Sequence, residues 1–85
     1  MLIYVNQLMG FTIQMEVEES LTVLELKEEI QGYIKMPPTS QEMVFKGDLM
    51  EDELTLADYK IVEGSWILVR DRYNGSTSFF GDDDF

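Results

Sequence analysis

Carboxylates are the reactive groups this chain holds in number. They come in runs: Glu16, Glu18 and Glu19, then Glu25, Glu28 and Glu29, then Glu51, Asp52 and Glu53. Acid–base catalysis needs a carboxyl group held in a pocket that shifts its pKa, and these runs fall on loops and solvated faces instead. The 85 residues include no Cys and no His, which removes the usual zinc and haem ligands, the Cys–His nucleophile and any disulfide framework. Neither catalysis nor a cofactor is expected. Seventeen acidic residues against six basic ones give a net charge of -11. That balance opposes binding to nucleic acid, where Lys and Arg must displace counterions, and favours protein partners that present basic rims. The first residues, Met1 to Asn6, lack a basic flank, and no apolar run approaches the length of a membrane span. A cytoplasmic or nuclear protein without membrane attachment is expected.

The chain is organised around Thr22 to Ile34. Thr22 stands three residues before Glu25 as a capping box, in which each side chain satisfies a backbone N–H of the first helical turn. Val23, Leu26, Ile30 and Ile34 follow at spacings of three and four, so one helix face is apolar and must be covered. Pro37 and Pro38 cannot continue the helix, which is expected to end near Lys35.

Residues 1 to 7 and 12 to 17 alternate as two strands with one buried face each. The short link Leu8-Met9-Gly10 makes them an antiparallel hairpin whose odd-numbered residues face the helix. Gln41 to Phe45 is a third strand, Gly47-Asp48 a turn, Leu49-Met50 a very short fourth strand, and Trp66 to Arg70 the last. Leu54 to Tyr59 is expected to form a single helical turn anchored by Leu56 and Ile61. One helix crossing a mixed sheet gives a two-layer α+β domain over residues 1 to 72. Residues 73 to 85 carry no periodicity beyond Phe79, Phe80 and Phe85 and are read as a flexible acidic tail.

With these elements in place, residues 1 to 72 resemble ubiquitin without gaps. The likeness runs through Met1-x-Ile3-x-Val5, Leu8-x-Gly10, Glu16-Val17-Glu18, Lys27, Ile30-Gln31, Pro37-Pro38, Phe45-x-Gly47, Glu51-Asp52 and Thr55-Leu56-x-Asp58-Tyr59-x-Ile61. The resemblance implies the ubiquitin-like β-grasp fold, a mixed sheet wrapped on one helix. The expected core is Met1, Ile3, Val5, Ile13, Met15, Val17, Val23, Leu26, Ile30, Met43, Met50, Leu56, Ile61, Ile67 and Val69. It also implies two structural devices: Lys27 pairs with Asp52, and Tyr59 hydrogen-bonds a backbone group near Glu51. Ubiquitin has a glycine just after its helix where this chain has Lys35, so the helix exit is expected to differ in detail.

Two functions follow from that resemblance. A covalent modifier acts through a C-terminal glycine carboxylate; here Arg72 and Gly75 match that end, but Ser76 replaces the second glycine, so a hydrolase would have to expose Gly75. Of the lysines through which ubiquitin chains are linked, Lys27 alone stands at a matching position, and Asp48 and Glu63 occupy two of the others. The favoured reading is a non-conjugated protein-interaction domain linked to the ubiquitin–proteasome system. Alternation turns Leu2, Tyr4, Val44, Trp66 and Leu68 outward on one sheet face, with Leu8 on the hairpin tip beside them, where polar residues would be usual. By resemblance Leu8, Val44 and Leu68 belong to ubiquitin's main recognition patch and Tyr4 to a smaller one, while Arg70 departs from it. Asn6, Phe11, Glu42, Asp48 and Asn74 replace ubiquitin's basic rim, which implies weaker binding to acidic ubiquitin-interacting helices. The chain is expected to be a monomer. Cover of the face by the tail's phenylalanines, or weak pairing of two copies through it, is the competing reading.

Overall fold

A computed structural model describes residues 1–7 and 10–72. Five strands, β1 (Leu2–Gln7), β2 (Thr12–Glu16), β3 (Gln41–Phe45), β4 (Asp48–Leu49) and β5 (Trp66–Asp71), pack on one helix, α1 (Val23–Ile34). Short 3-10 helices occupy Pro38–Ser40 and Ala57–Tyr59. The strand order is β2-β1-β5-β3-β4. β1 runs parallel to β5, and every other pairing is antiparallel. This is the mixed sheet grasping one helix that the sequence implies.

The helix begins as its capping box dictates: the Glu25 N–H donates to Thr22 Oγ1 at 3.1 Å, and the Thr22 N–H donates to Glu25 Oε1 at 2.9 Å. Val23, Leu26 and Ile30 are buried against the inward-facing Ile3, Val5, Ile13, Met15, Met43, Ile67 and Val69 of the sheet. Leu56 and Ile61 close the core from the loop side. The 3-10 turn between them is held by a reciprocal pair: the Thr55 N–H donates to Asp58 Oδ2 at 2.8 Å, and the Asp58 N–H to Thr55 Oγ1 at 3.1 Å.

Several details differ from the sequence expectations. Met1 is only partly buried, because its amine is anchored at the surface, donating to the Val17 carbonyl at 2.7 Å and pairing with Glu16 at 2.9 Å. Phe45 joins the core instead, continuing the alternation of Gln41 and Met43 on β3. The β3–β4 turn is Lys46-Gly47 rather than Gly47-Asp48; both residues have positive φ, 52° and 86°, as a two-residue hairpin turn demands. β4 is accordingly Asp48–Leu49, one residue earlier than Leu49-Met50. At the helix exit Lys35 itself takes the left-handed conformation, at φ 58° and ψ 33°, and its N–H donates to the Gln31 carbonyl at 3.0 Å.

Candidate interaction face

The outward side chains of the sheet fall into rows set by register. Across β2, β1 and β5, Gln14, Tyr4 and Trp66 stand side by side. One step along, Thr12, Asn6, Leu68, Val44 and Leu49 form the next row across all five strands. One step further, Arg70 stands opposite Glu42. Strand alternation does this: once Ile67, Val69, Met43 and Phe45 turn inward, Trp66, Leu68, Arg70, Glu42 and Val44 must turn outward.

Trp66 is 56% exposed, and its ring stacks on Tyr4 with centroids 4.8 Å apart and an interplanar angle of 20°. Such a pair stiffens two large side chains that would otherwise rotate freely, so they stand as a ready-made wall. Beside Trp66 lies an open hollow of about 600 Å³ lined by Asn6, Val44, Lys46, Gly47, Trp66, Ile67 and Leu68. Lys46 is the one charged residue among those seven. At the far end of β5 the Arg70 guanidinium donates to Glu42 at 3.0 Å, and Arg72 approaches the same carboxylate at 3.9 Å. At the opposite end, Glu63 accepts from the Leu2 N–H at 2.9 Å, and the Met1 amine is held among carboxylates. Its hydrogen bond to Glu16 lifts the amine's pKa above the usual range; partial desolvation works against this, and the charges of Glu16, Glu63 and Glu18 add to it. The face therefore has an apolar centre, a carboxylate-rich margin beside Leu2, and cations at Lys46 and Arg70.

The structure places Leu2, Tyr4, Val44, Trp66 and Leu68 on this one surface. Leu8 lies outside the described residues, as do residues 73–85 with Gly75. Leu49, 55% exposed at the end of the central row, and Lys46 were not legible as members of the face. The signal that could have found them is the Lys46-Gly47 hairpin turn, which fixes Leu49 opposite Val44. Lys27 and Asp52 stand away from the face. The Lys27 ammonium donates to Asp52 Oδ1 at 2.6 Å, with the lysine side chain 3% exposed and the carboxylate 46%. The Tyr59 hydroxyl accepts from the Glu51 N–H at 2.6 Å. The first bond ties the 51–59 loop to α1, and the second closes the loop on itself, joining its two ends. Among the described residues no three carboxylates converge as a metal site, and no helix is long and apolar enough to cross a membrane.

The Ubiquitin family model matches residues 3–71. Among curated proteins, NEDD8-like protein RUB1 of Saccharomyces cerevisiae is 36% identical over 64 residues, covering 75% of this chain and 83% of that protein. Ubiquitin-like protein NEDD8 of Dictyostelium discoideum is 31% identical over 65 residues, 76% of this chain and 84% of its own. Probable ubiquitin receptor RAD23 of Oryza sativa is 31% identical over 81 residues, 92% of this chain but only 21% of that protein. The chain thus spans most of the small relatives and about a fifth of the large one.

Proposed function

The chain belongs to the ubiquitin family, and from that membership we propose that it works as a non-conjugated interaction domain, binding proteins of the ubiquitin–proteasome system through the outer sheet face. The observation that carries this reading is the continuous apolar row Leu68–Val44–Leu49, with the Tyr4–Trp66 stack beside it. A monomeric domain has little reason to hold a half-exposed Trp against a Tyr and three branched aliphatic residues unless a partner covers them. The net charge of -11 steers basic-rimmed partners toward the domain at long range, and ubiquitin-pathway receptors of that kind, in the cytoplasm or nucleus, are its proposed partners. The match to a probable ubiquitin receptor supports the same direction. No catalytic role is assigned.

A covalent modifier exposing Gly75 is the second reading, favoured by the match over most of the length of the small NEDD8-like relatives. Against it stands Ser76, which breaks the diglycine end.

Capture of purified proteasomes and of ubiquitin-pathway receptors separates the readings. Wild type and a Glu28→Lys control should bind alike, and a Val44→Asp, Leu68→Asp double variant should lose binding. Equal capture by the double variant would refute the proposed face. A thioester-linked band with any activating enzyme and ATP would establish the modifier instead.

A further inference from the structure

We infer that the outer face pairs with the same face of a second copy of this chain, as a two-fold dimer in which Trp66 lies on Leu68, and Glu63 meets Arg70, of the other copy. The inference uses the face proposed above but does not need its role in capturing other proteins.

The order of side chains along the sheet carries it. Successive outward positions on one strand lie about 6.6–6.8 Å apart, so the face is built of evenly spaced rungs. The first rung, level with Leu2, is acidic: the Leu2 N–H holds the Glu63 carboxylate on one side, and Glu16 stands opposite Leu2 on the other. The second is aromatic, Tyr4 beside Trp66. The third is aliphatic, Leu68 beside Val44 and Leu49. The fourth carries Arg70, opposite Glu42.

Such an order is complementary to its own reverse. A half-turn about an axis normal to the sheet, through β5 midway between Trp66 and Leu68, exchanges the second rung with the third and the first with the fourth. It also exchanges β1 with β3, which flank β5 on its two sides. Trp66 then lies on Leu68 of the second copy and Tyr4 on its Val44, so each aromatic ring is covered by an aliphatic group. Lys46 comes opposite Asn6 of the second copy. The Asn6 amide nitrogen already donates to Thr12 Oγ1, which leaves its carbonyl to accept from an ammonium. Sheets stacked in this way lie about 10 Å apart with strands within about 30° of each other, the ordinary geometry of face-to-face sheet packing.

The charges at the ends fix the register. Glu63 is exposed and stands across from Arg70 of the second copy, and the two-fold axis forms that pair twice. The Arg70 bond to Glu42 is made by Nε, and among the described residues the terminal N–H groups of its fork are left for another carboxylate. The guanidinium therefore sits between Glu42 of its own chain and Glu63 of the other. Two copies at -11 repel at long range. At about 0.15 M salt the screening length is about 8 Å, which mutes that repulsion between distant carboxylates and leaves the contact pairs attractive. The buried patch is small, so association is weak and depends on concentration.

Sedimentation velocity of the full chain at about 0.15 M salt, from about 10 μM to about 1 mM, tests the pairing. The wild type should move from monomer toward dimer across that range. Arg70→Glu and Glu63→Arg each set like charges against each other across the axis, and each should lose association at least about tenfold. Their equimolar mixture should recover it, because Glu63 of one variant then meets Arg70 of the other and the two introduced side chains meet each other. Glu28→Lys, on the helix, changes the net charge as much as Glu63→Arg does and should pair as wild type. In unsubstituted protein, acrylamide quenching of Trp66, the sole tryptophan, should fall about twofold as concentration rises through the same range. Wild type that stays monomeric throughout, whether its face is bare or otherwise covered, would overturn the inference. So would unchanged quenching, single variants that pair as wild type, or a mixture that remains apart. Sedimentation reads pairing with no other protein present, so its outcome is independent of the capture experiment that tests the interaction reading.

Discussion

The Lys27 ammonium, on the buried face of α1, is satisfied by the half-exposed carboxylate of Asp52, 2.6 Å away. The pair is asymmetric, and the asymmetry decides what each substitution does. Removing the carboxylate strands a cation in the interior, whereas removing the cation leaves a carboxylate that water can reach. Asp52→Ala should therefore cost about 2–3 kcal/mol, near the low end for breaking a buried pair because Asp52 is partly solvated. Lys27→Met, which keeps the stem and drops the charge, should cost less than about 1 kcal/mol. Urea unfolding curves measure both, and a larger loss for Lys27→Met than for Asp52→Ala would contradict the assignment.

Lys35, Lys46 and Lys60 all adopt left-handed backbone conformations, at φ 58°, 52° and 59°. A Cβ in that region is strained, and glycine is not. Lys35 and Lys60 end helical turns, their N–H groups donating to Gln31 and Ala57 carbonyls at 3.0 and 2.9 Å, so the conformation is fixed by the turn that it caps. Lys35→Gly and Lys60→Gly should each stabilise the fold by about 0.5–1 kcal/mol, the strain relief exceeding glycine's extra unfolded-state entropy. The urea midpoint should rise with an unchanged slope.

The Met1 amine supplies a pH dependence. Its pKa is raised in the folded state, chiefly by the hydrogen bond to Glu16, so the folded protein holds that proton more tightly than the unfolded chain does. Stability from this group is full below the unfolded value, about 8, and falls as pH rises through the higher folded value. Unfolding midpoints recorded from pH 7 upward should decline above about pH 8, and Glu16→Gln should flatten that decline. An identical slope in the variant would assign the effect to other groups.

The elements whose signal is local were legible in the sequence. Thr22 and Glu25 define a helix start by themselves, and the period-two alternation of β1, β2, β3 and β5 assigns faces without long-range information. What was missed depends on contacts between distant segments. Met1 reads as a core residue until its amine is seen anchored to Val17 and Glu16. Gln41 is polar yet wholly buried, because its Nε2 donates to the Lys27 and Met36 carbonyls at 2.9 Å each across the helix exit. Lys46 lines one hollow with Trp66 only because the hairpin turn places it there, which no local pattern announces. Lys35, where a glycine would be unstrained, is held in the left-handed exit by its cap hydrogen bond to Gln31.

Gln41 sets a test of that buried polar contact. Its amide donates to the Met36 carbonyl just past the helix and to the second lone pair of the Lys27 carbonyl inside it, while its Oε1 finds no protein partner among the described residues. Gln41→Leu keeps the volume but removes the donor to the Met36 carbonyl, the Lys27 carbonyl keeping its helical partner, and should cost about 1–3 kcal/mol. Gln41→Glu should be worse, since the carboxylate would have to be buried while losing a donor to both carbonyls.

Trp66 and Leu56 separate binding from folding. Leu56 is fully buried, and its N–H donates to the Leu21 carbonyl at 3.0 Å, so truncation opens a cavity at the junction of loop and core. Leu56→Ala should cost about 2–5 kcal/mol. Trp66 is half exposed and packs mainly on Tyr4, so Trp66→Ala removes one stacking contact and should change stability by no more than about 1 kcal/mol. Binding should show the reverse order. Trp66→Ala removes a wall of the hollow and should weaken partner capture at least about tenfold, the loss typical of an aromatic anchor, whereas Leu56→Ala should bind normally below its lowered melting temperature. Unfolding curves and partner titrations on the same two variants check both halves, and a Trp66→Ala protein that binds as wild type would place the partner elsewhere on the surface.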